Sequence, residues 1–204
     1  ALSPGQIIAS NRTPAKAEWL AERHPGLTVA ASNADVARGA RVLLLCVKPF
    51  EYRQALEQTL PALTPEHTLL TITSPVSLKQ LESLVPCAVA RMVPSITNAA
   101  GSGVSLFEFG SRIDSDTREG ILDLFSQISN PVEVAEPFLR IASDIASCGP
   151  AFVSYILREM INAAVEKTGI SEEAAAYLTS QMLIGMADLL KQEMFTLSAL
   201  QERV

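Results

Sequence analysis

The chain has 204 residues, 48% of them hydrophobic and 19% charged, with a formal net charge of −6. That length and apolar content suit one domain or two modest ones around packed cores, and exclude a disordered chain. No basic cluster offsets the acidic balance and no apolar run approaches the roughly 18 residues needed to cross a bilayer, so neither nucleic acid nor membrane is expected as a partner.

The first two-thirds of the chain alternate between strand and helix patterns. Gln6–Ser10 reads as a strand, Pro14–His24 as a helix with Ala17, Leu20 and Ala21 on one face, Leu27–Ala30 as a short strand and Ala34–Gly39 as a short helix stopped by glycine. Arg41–Val47, "RVLLLCV", is a continuous apolar run, the pattern of a parallel strand buried on both faces. Helix Phe50–Leu60, strand Thr68–Thr73, a helix from Ser77 with Leu78, Leu81 and Leu84 in phase, and strand Ala88–Val93 follow. After a loop come strand Val104–Phe109, helix Ser115–Ile128 and a short strand Val132–Ala135. Such alternation predicts an α/β fold with a Rossmann-like, doubly wound, mostly parallel sheet over residues 1–138.

No strand pattern follows Pro137. Leu139–Thr168 reads as one helical tract with Ile145, Phe152, Ile156, Met160 and Ala163 as a buried stripe, and "SEEA" at Ser171 opens a second helix with acidic residues in its first turn. That helix runs to about Glu193, and "TLSALQERV" begins a third. Residues 139–204 therefore read as an all-helical C-terminal domain, apolar on more than one side, for which packing against a second copy is expected; packing on the sheet is the alternative.

Cys46, Cys87 and Cys148 are widely spaced and odd in number, which fits buried free thiols in a reducing, cytoplasmic compartment. The N-terminal "ALSPGQ" lacks the features of a signal sequence, and His24 and His67 have no partner at metal-ligand spacing, so no metal is expected.

Four stretches could carry chemistry. Ser10-Asn11-Arg12-Thr13 ends what would be the second strand of a dinucleotide fold, beside the adenosine ribose. An acid there takes the 2′-hydroxyl of NAD, whereas a guanidinium with small hydroxyl neighbours matches the 2′-phosphate of NADP; alternatively Thr13 only caps the helix that Pro14 opens. "CVKP", Cys46–Pro49, turns the chain at the carboxyl edge of the sheet, where ligands sit in such folds. "RMVPSITNAAGSGVS" is a loop of small and hydroxyl residues, and Gly149-Pro150 in "ASCGPAF" predicts a bend in a helix. No G-x-G-x-x-G opens the fold, so the chain starts at what would be a second strand.

The ordered set "SNRTPAKAEWLAE", "SNADVARGARVLLLCVKPF", "VARMVPSITNAAGSGVS" and "DIASCGPAFVSYI" resembles the pyrroline-5-carboxylate reductase family, most closely its divergent late-competence (ComER) branch. The resemblance covers essentially the whole chain. It implies reduction of a cyclic imine, pyrroline-5-carboxylate to L-proline or a related substrate, with NADP(H), or NAD(H), as hydride source, and a homodimer built by the C-terminal helices. It implies that Ser10, Asn11, Arg12 and Thr13 surround the ribose phosphate, that Asn33 approaches the adenosine side, and that Val47, Lys48, Pro49, Ile72, Thr73 and Ser74 lie toward the nicotinamide. Ser95, Ser147, Cys148 and Gly149 are the candidates near the substrate, and no catalytic acid is named. The family's glycine-rich phosphate loop would precede Ala1 and its substrate loop would follow Val204, so a fragment is expected. The segments Thr73-Ser74-Pro75, Val93–Thr97 and Ala146–Phe152 depart from the family's usual residues, which keeps open a non-catalytic, dimeric, competence-associated regulator on the same scaffold.

Overall fold

The computed structural model describes residues 2–72 and 76–203. The chain divides into two compact units, Ala1–Cys148 and Gly149–Val204.

In the first unit, β1 (Ile8–Ala9) and β2 (Thr28–Val29) pair in parallel across helix α1 (Pro14–Arg23). Both strands are shorter than the apolar runs suggest, because Pro4–Gln6 is taken into a 3-10 turn and Gly26 turns the chain at φ 102° against Gly5. Helix α2 (Asn33–Gly39) is capped by the Ser32 hydroxyl, which accepts from Asp35 N. It lies so close to β1 that a Cβ on Gly39 would stand 2.5 Å from Ile8 Cδ1.

The main sheet has the order β3-β4-β5-β6-β7, with β3 Val42–Leu45, β4 Thr68–Thr71, β5 Ala88–Val93, β6 Val104–Phe109 and β7 Asn130–Glu133. Helices α3 (Tyr52–Thr59), α4 (Leu78–Leu84) and α5 (Ser115–Ser126) make the crossovers that parallel pairs require. Residues 94–103 hold only a 3-10 turn, Ile96–Ala100, so β6 returns antiparallel to β5, with Arg91 opposite Glu108. The sheet is thus mostly parallel, as the alternation predicts, with one antiparallel pair. The last strand begins two residues earlier than its apolar residues suggest, because Asn130 N already bonds Gly103 O. Thr73, the predicted end of β4, lies outside the described residues.

Alternation along the strands sorts two cores. Leu43, Leu69 and Val89 pack with Tyr52, Leu56, Leu78 and Leu81 on one face, and Leu70, Ala90, Met92 and Phe107 pack with Ile121 on the other. Not every apolar residue is drawn in: Leu20, expected on the inner face of α1, is 38% exposed while Ala17 is buried. Arg91 is buried within the sheet, where its Nη1 donates to Glu108 Oε2 at 2.7 Å and its Nη2 to the Val76 carbonyl. Burial pushes the Glu108 carboxyl up, although the Arg91 charge pulls the other way.

The predicted single helical tract from Leu139 is three elements. Helix α6 (Glu136–Ser143) lays Leu139 and Ala142 on Val93 and Leu106 of the sheet, then a π-helical turn, Asp144–Cys148, follows. In the second unit, α7 (Gly149–Thr168) and α8 (Glu172–Lys191) form an antiparallel-type hairpin through Gly169, at φ 74°, and α9 (Leu197–Arg203) follows. Proline at position 150 has no N–H to continue the ladder, and the looser π turn takes up the register just ahead of it. The expected buried stripe is not buried in the single chain: Ile145 is 70% exposed, Phe152 59%, Ile156 64% and Met160 49%, and Ala163 is exposed too. From Ala151 onward the half-buried residues of α7 are instead Leu157, Ile161, Ala164 and Val165, and α8 answers with Ala175, Thr179, Leu183 and Met186. Two helices can cover only one face of each other, so the other apolar face stays bare.

Candidate functional site

The exit of β1 is a polar turn held by its own side chains. Thr13 N donates to Asn11 Oδ1 at 2.9 Å, and Pro14 starts α1 without needing a donor. Thr13 stands at the N-cap position, yet its hydroxyl makes no capping bond, so the helix-cap reading of this residue is not what the structure shows. Ser10 Oγ donates to Asn33 Oδ1 at 2.5 Å, and Asn33 Nδ2 donates to Gln58 Oε1 at 2.8 Å. These bonds tie the β1 exit to α2 and α2 to α3. Arg12 leaves the turn outward, with 77% of its side chain exposed, and its Nη1 pairs with Glu51 Oε1.

Glu51 comes from the exit of β3. There Val47 is half-buried, Lys48 is exposed with Nζ 5.9 Å from the Phe50 ring centroid, and Pro49 opens a 3-10 turn, Pro49–Glu51. Glu51 N donates to Lys48 O at 2.9 Å, which fixes the backbone carrying the carboxylate. Ile72, half-buried at the exit of β4, donates its N–H to Leu45 O. Thr73 and Ser74 lie outside the described residues. Ser10, Asn33, Arg12 and the Lys48–Glu51 turn therefore form one polar rim at neighbouring strand exits. A rim carrying an exposed guanidinium and ammonium beside small hydroxyl and amide groups can accept a phosphate ester.

Ser95, Ser147 and Cys148 gather at a second place, the exit of β5. Ser95 Oγ donates to the Ala146 carbonyl at 2.9 Å and accepts from Thr97 Oγ1 at 2.9 Å; Ser147 Oγ donates to the Pro94 carbonyl at 2.8 Å. Both hydroxyl protons lie on backbone carbonyls, so these serines join the loop to the π turn. Asn98 locks the same loop, accepting from Ser95 N and Ser105 Oγ and donating to Ser102 and Val104 carbonyls. Cys148 is a half-buried free thiol and Cys87 a buried one, whereas Cys46, expected to be buried, is exposed just past β3; Gly149 opens α7 in the second unit.

Three contributors were not foreseen from sequence: Glu51, Gln58 and Asn98. Glu51 had a usable signal, an acid two residues past Pro49 at a strand exit; nothing local marks Gln58 or Asn98. No group of three or more His, Cys, Asp or Glu that could hold a metal occurs among the described residues, and no described helix is long and apolar enough to cross a membrane.

Residues 136–204 match the family described as pyrroline-5-carboxylate reductase dimerisation, and residues 1–75 match the one described as NADP oxidoreductase, coenzyme F420-dependent. ComE operon protein 4 of Bacillus subtilis is 42% identical over 204 residues, all of this chain and 75% of that protein. Pyrroline-5-carboxylate reductase 3 of the same organism is 26% identical over 168 residues, 82% of this chain and 62% of that protein. Among solved structures, the Plasmodium falciparum pyrroline carboxylate reductase with NADP bound superposes with a TM-score of 0.83 at 21% identity, over 99% of this chain and 78% of that one, which is a likeness of fold.

Proposed function

The chain belongs to the pyrroline-5-carboxylate reductase family, in the branch of ComE operon protein 4, and from that premise we propose that it is an NADP-dependent oxidoreductase acting on a cyclic imine, either pyrroline-5-carboxylate, giving L-proline, or a close analogue. The observation that carries this reading is the exposed Arg12 guanidinium beside Ser10 and Asn33 at the exit of β1, where no acid occupies the strand end. Ser10, Asn11, Arg12 and Thr13 would hold the ribose phosphate and Asn33 the adenosine side. Val47, Lys48, Pro49 and Ile72 would line the nicotinamide side, together with Thr73 and Ser74. Bound there, the reduced nicotinamide supplies the hydride for the C=N carbon.

The chain's own part is orientation, which accounts for much of the rate when two reactants must meet. Ser95 and Ser147, by holding the Ala146 and Pro94 carbonyls, keep the loop after β5 in one shape; with Cys148 and Gly149 they would border the substrate. The nucleotide-binding domain would span 1–138 and the helical dimerisation and substrate domain 139–204. We place the protein in the cytoplasm, as a homodimer.

Full-length protein should oxidise NADPH in the presence of pyrroline-5-carboxylate or a related cyclic imine, followed by the loss of nicotinamide absorbance. No turnover with any of these imines would refute the reductase. A second reading has its own support: the two serines at the substrate candidate are engaged by main-chain carbonyls, and the 42%-identical relative is named for a competence operon. On that reading the protein is a dimeric regulator without turnover, and a melting temperature unmoved by NADPH would favour it, since a ligand that binds only the folded state stabilises that state.

A further inference from the structure

Arg12 does not stand alone at the rim, and its partner has a consequence for which nucleotide the rim selects. The Glu51 carboxylate is the fixed member of the pair. Its backbone is pinned by the 3-10 turn that Pro49 opens, and only 23% of its side chain is exposed, against 77% for Arg12. The guanidinium is the arm that can swing. A ribose 2′-phosphate meeting Arg12 must share it with a carboxylate already bound, and lies close to that negative charge. A ribose 2′-hydroxyl meets the reverse situation, since an acid at this edge of a dinucleotide fold is the acceptor such a hydroxyl uses. In this chain that acid comes from the exit of β3 instead of β1, and so it is hidden from a reading of the β1 exit alone.

We propose that Glu51 is a specificity-determining residue that competes with the 2′-phosphate for Arg12, so that the rim accepts NADH as well as NADPH and Glu51 tilts the choice toward NADH. The inference rests on the cofactor reading above. A partly exposed ion pair and a nearby like charge are each worth about 1 kcal/mol or less, so releasing Arg12 should matter by about five- to tenfold in affinity.

The test is calorimetric titration of the full-length protein with NADPH and with NADH, for the wild type, Glu51→Gln, Arg12→Ala and the double variant. Glu51→Gln is nearly isosteric at a partly exposed site, and Glu51→Asp, which keeps the charge, should stay near the wild-type ratio. The inference expects Glu51→Gln to tighten NADPH about five- to tenfold and to weaken NADH or leave it unchanged. It expects the NADPH gain to shrink to about twofold or less when Arg12 is already alanine. Equal shifts for both nucleotides, weaker NADPH binding, or a gain undiminished without Arg12 would each overturn it. If the wild type binds neither nucleotide, the cofactor reading itself falls and this inference with it, a result distinct from wild-type binding with an indifferent Glu51.

Discussion

At the scale of single residues, the Tyr52 side chain is the clearest case of local chemistry set by burial. Tyr52 is 5% exposed and its hydroxyl has no hydrogen-bond partner among the described residues. Burial raises its pKa to about 12, against a smaller downward pull from Arg91. Between about pH 10 and 12 the unfolded chain gives up this proton while the folded chain keeps it, so stability falls as pH rises through that window. Tyr52→Phe removes both the orphaned hydroxyl and the ionisation. It should leave neutral-pH stability unchanged or raise it by about 1 kcal/mol, and should flatten the alkaline loss. Urea unfolding at pH 7 and near pH 11 measures both; a Phe variant that is clearly less stable would mean the hydroxyl contributes a bond after all. Arg12 offers the contrasting case. The sequence marks its guanidinium as a candidate phosphate ligand, but its partner in the structure, Glu51, lies 39 residues away and no spacing rule links them.

Among the elements, the loop from Pro94 to Gly103 shows how local sequence sets topology. Gly103 has φ 72°, and a Cβ there would stand 2.1 Å from Thr97 Oγ1 and 2.9 Å from Thr97 Cβ. Gly103→Ala therefore meets an unfavourable backbone region and a collision together. A loss of about 1–3 kcal/mol is expected, read as a lowered thermal midpoint; an unchanged midpoint would mean that the loop relaxes freely. The strands on either side were legible: β5 and β6 fall where the apolar alternation puts them. Their antiparallel pairing was less so, because its signal is the shortness of residues 94–103 and not any residue in the strands. β1 and β2 shrank to two residues each because the flanking Pro4-Gly5 and Gly26 turns claim the ends of their apolar runs. Gly149-Pro150 announced a break in the helical tract, but which turn absorbs it depends on Ser147 and Ala146 bonding to a loop some 50 residues earlier, which periodicity does not encode.

For the whole molecule, the second unit carries apolar side chains that the pairing of its own helices does not cover. Phe152, Tyr155, Ile156 and Met160 on α7 and Tyr177, Leu178 and Met182 on α8 are each 45–64% exposed. Exposed apolar side chains of this kind are the usual mark of an association surface, and the match to a family described as a dimerisation domain supports the proposal that a second copy covers them. Sedimentation should find a dimer for the wild type and a monomer for Ile156→Glu, which puts a charge on that patch; a variant that sediments as a dimer would place the contact elsewhere. The sheet of the first unit bears on a different property, how the molecule avoids a wrong fold. Arg91 and Glu108 face each other across β5 and β6, between Ala90 opposite Phe109 and Met92 opposite Phe107. Sliding one strand by a single residue would strand the guanidinium against a phenylalanine ring and turn each side chain to the opposite layer. The ion pair thus works as an error check on hairpin assembly, and its value lies less in holding the finished protein together than in making every misaligned version expensive.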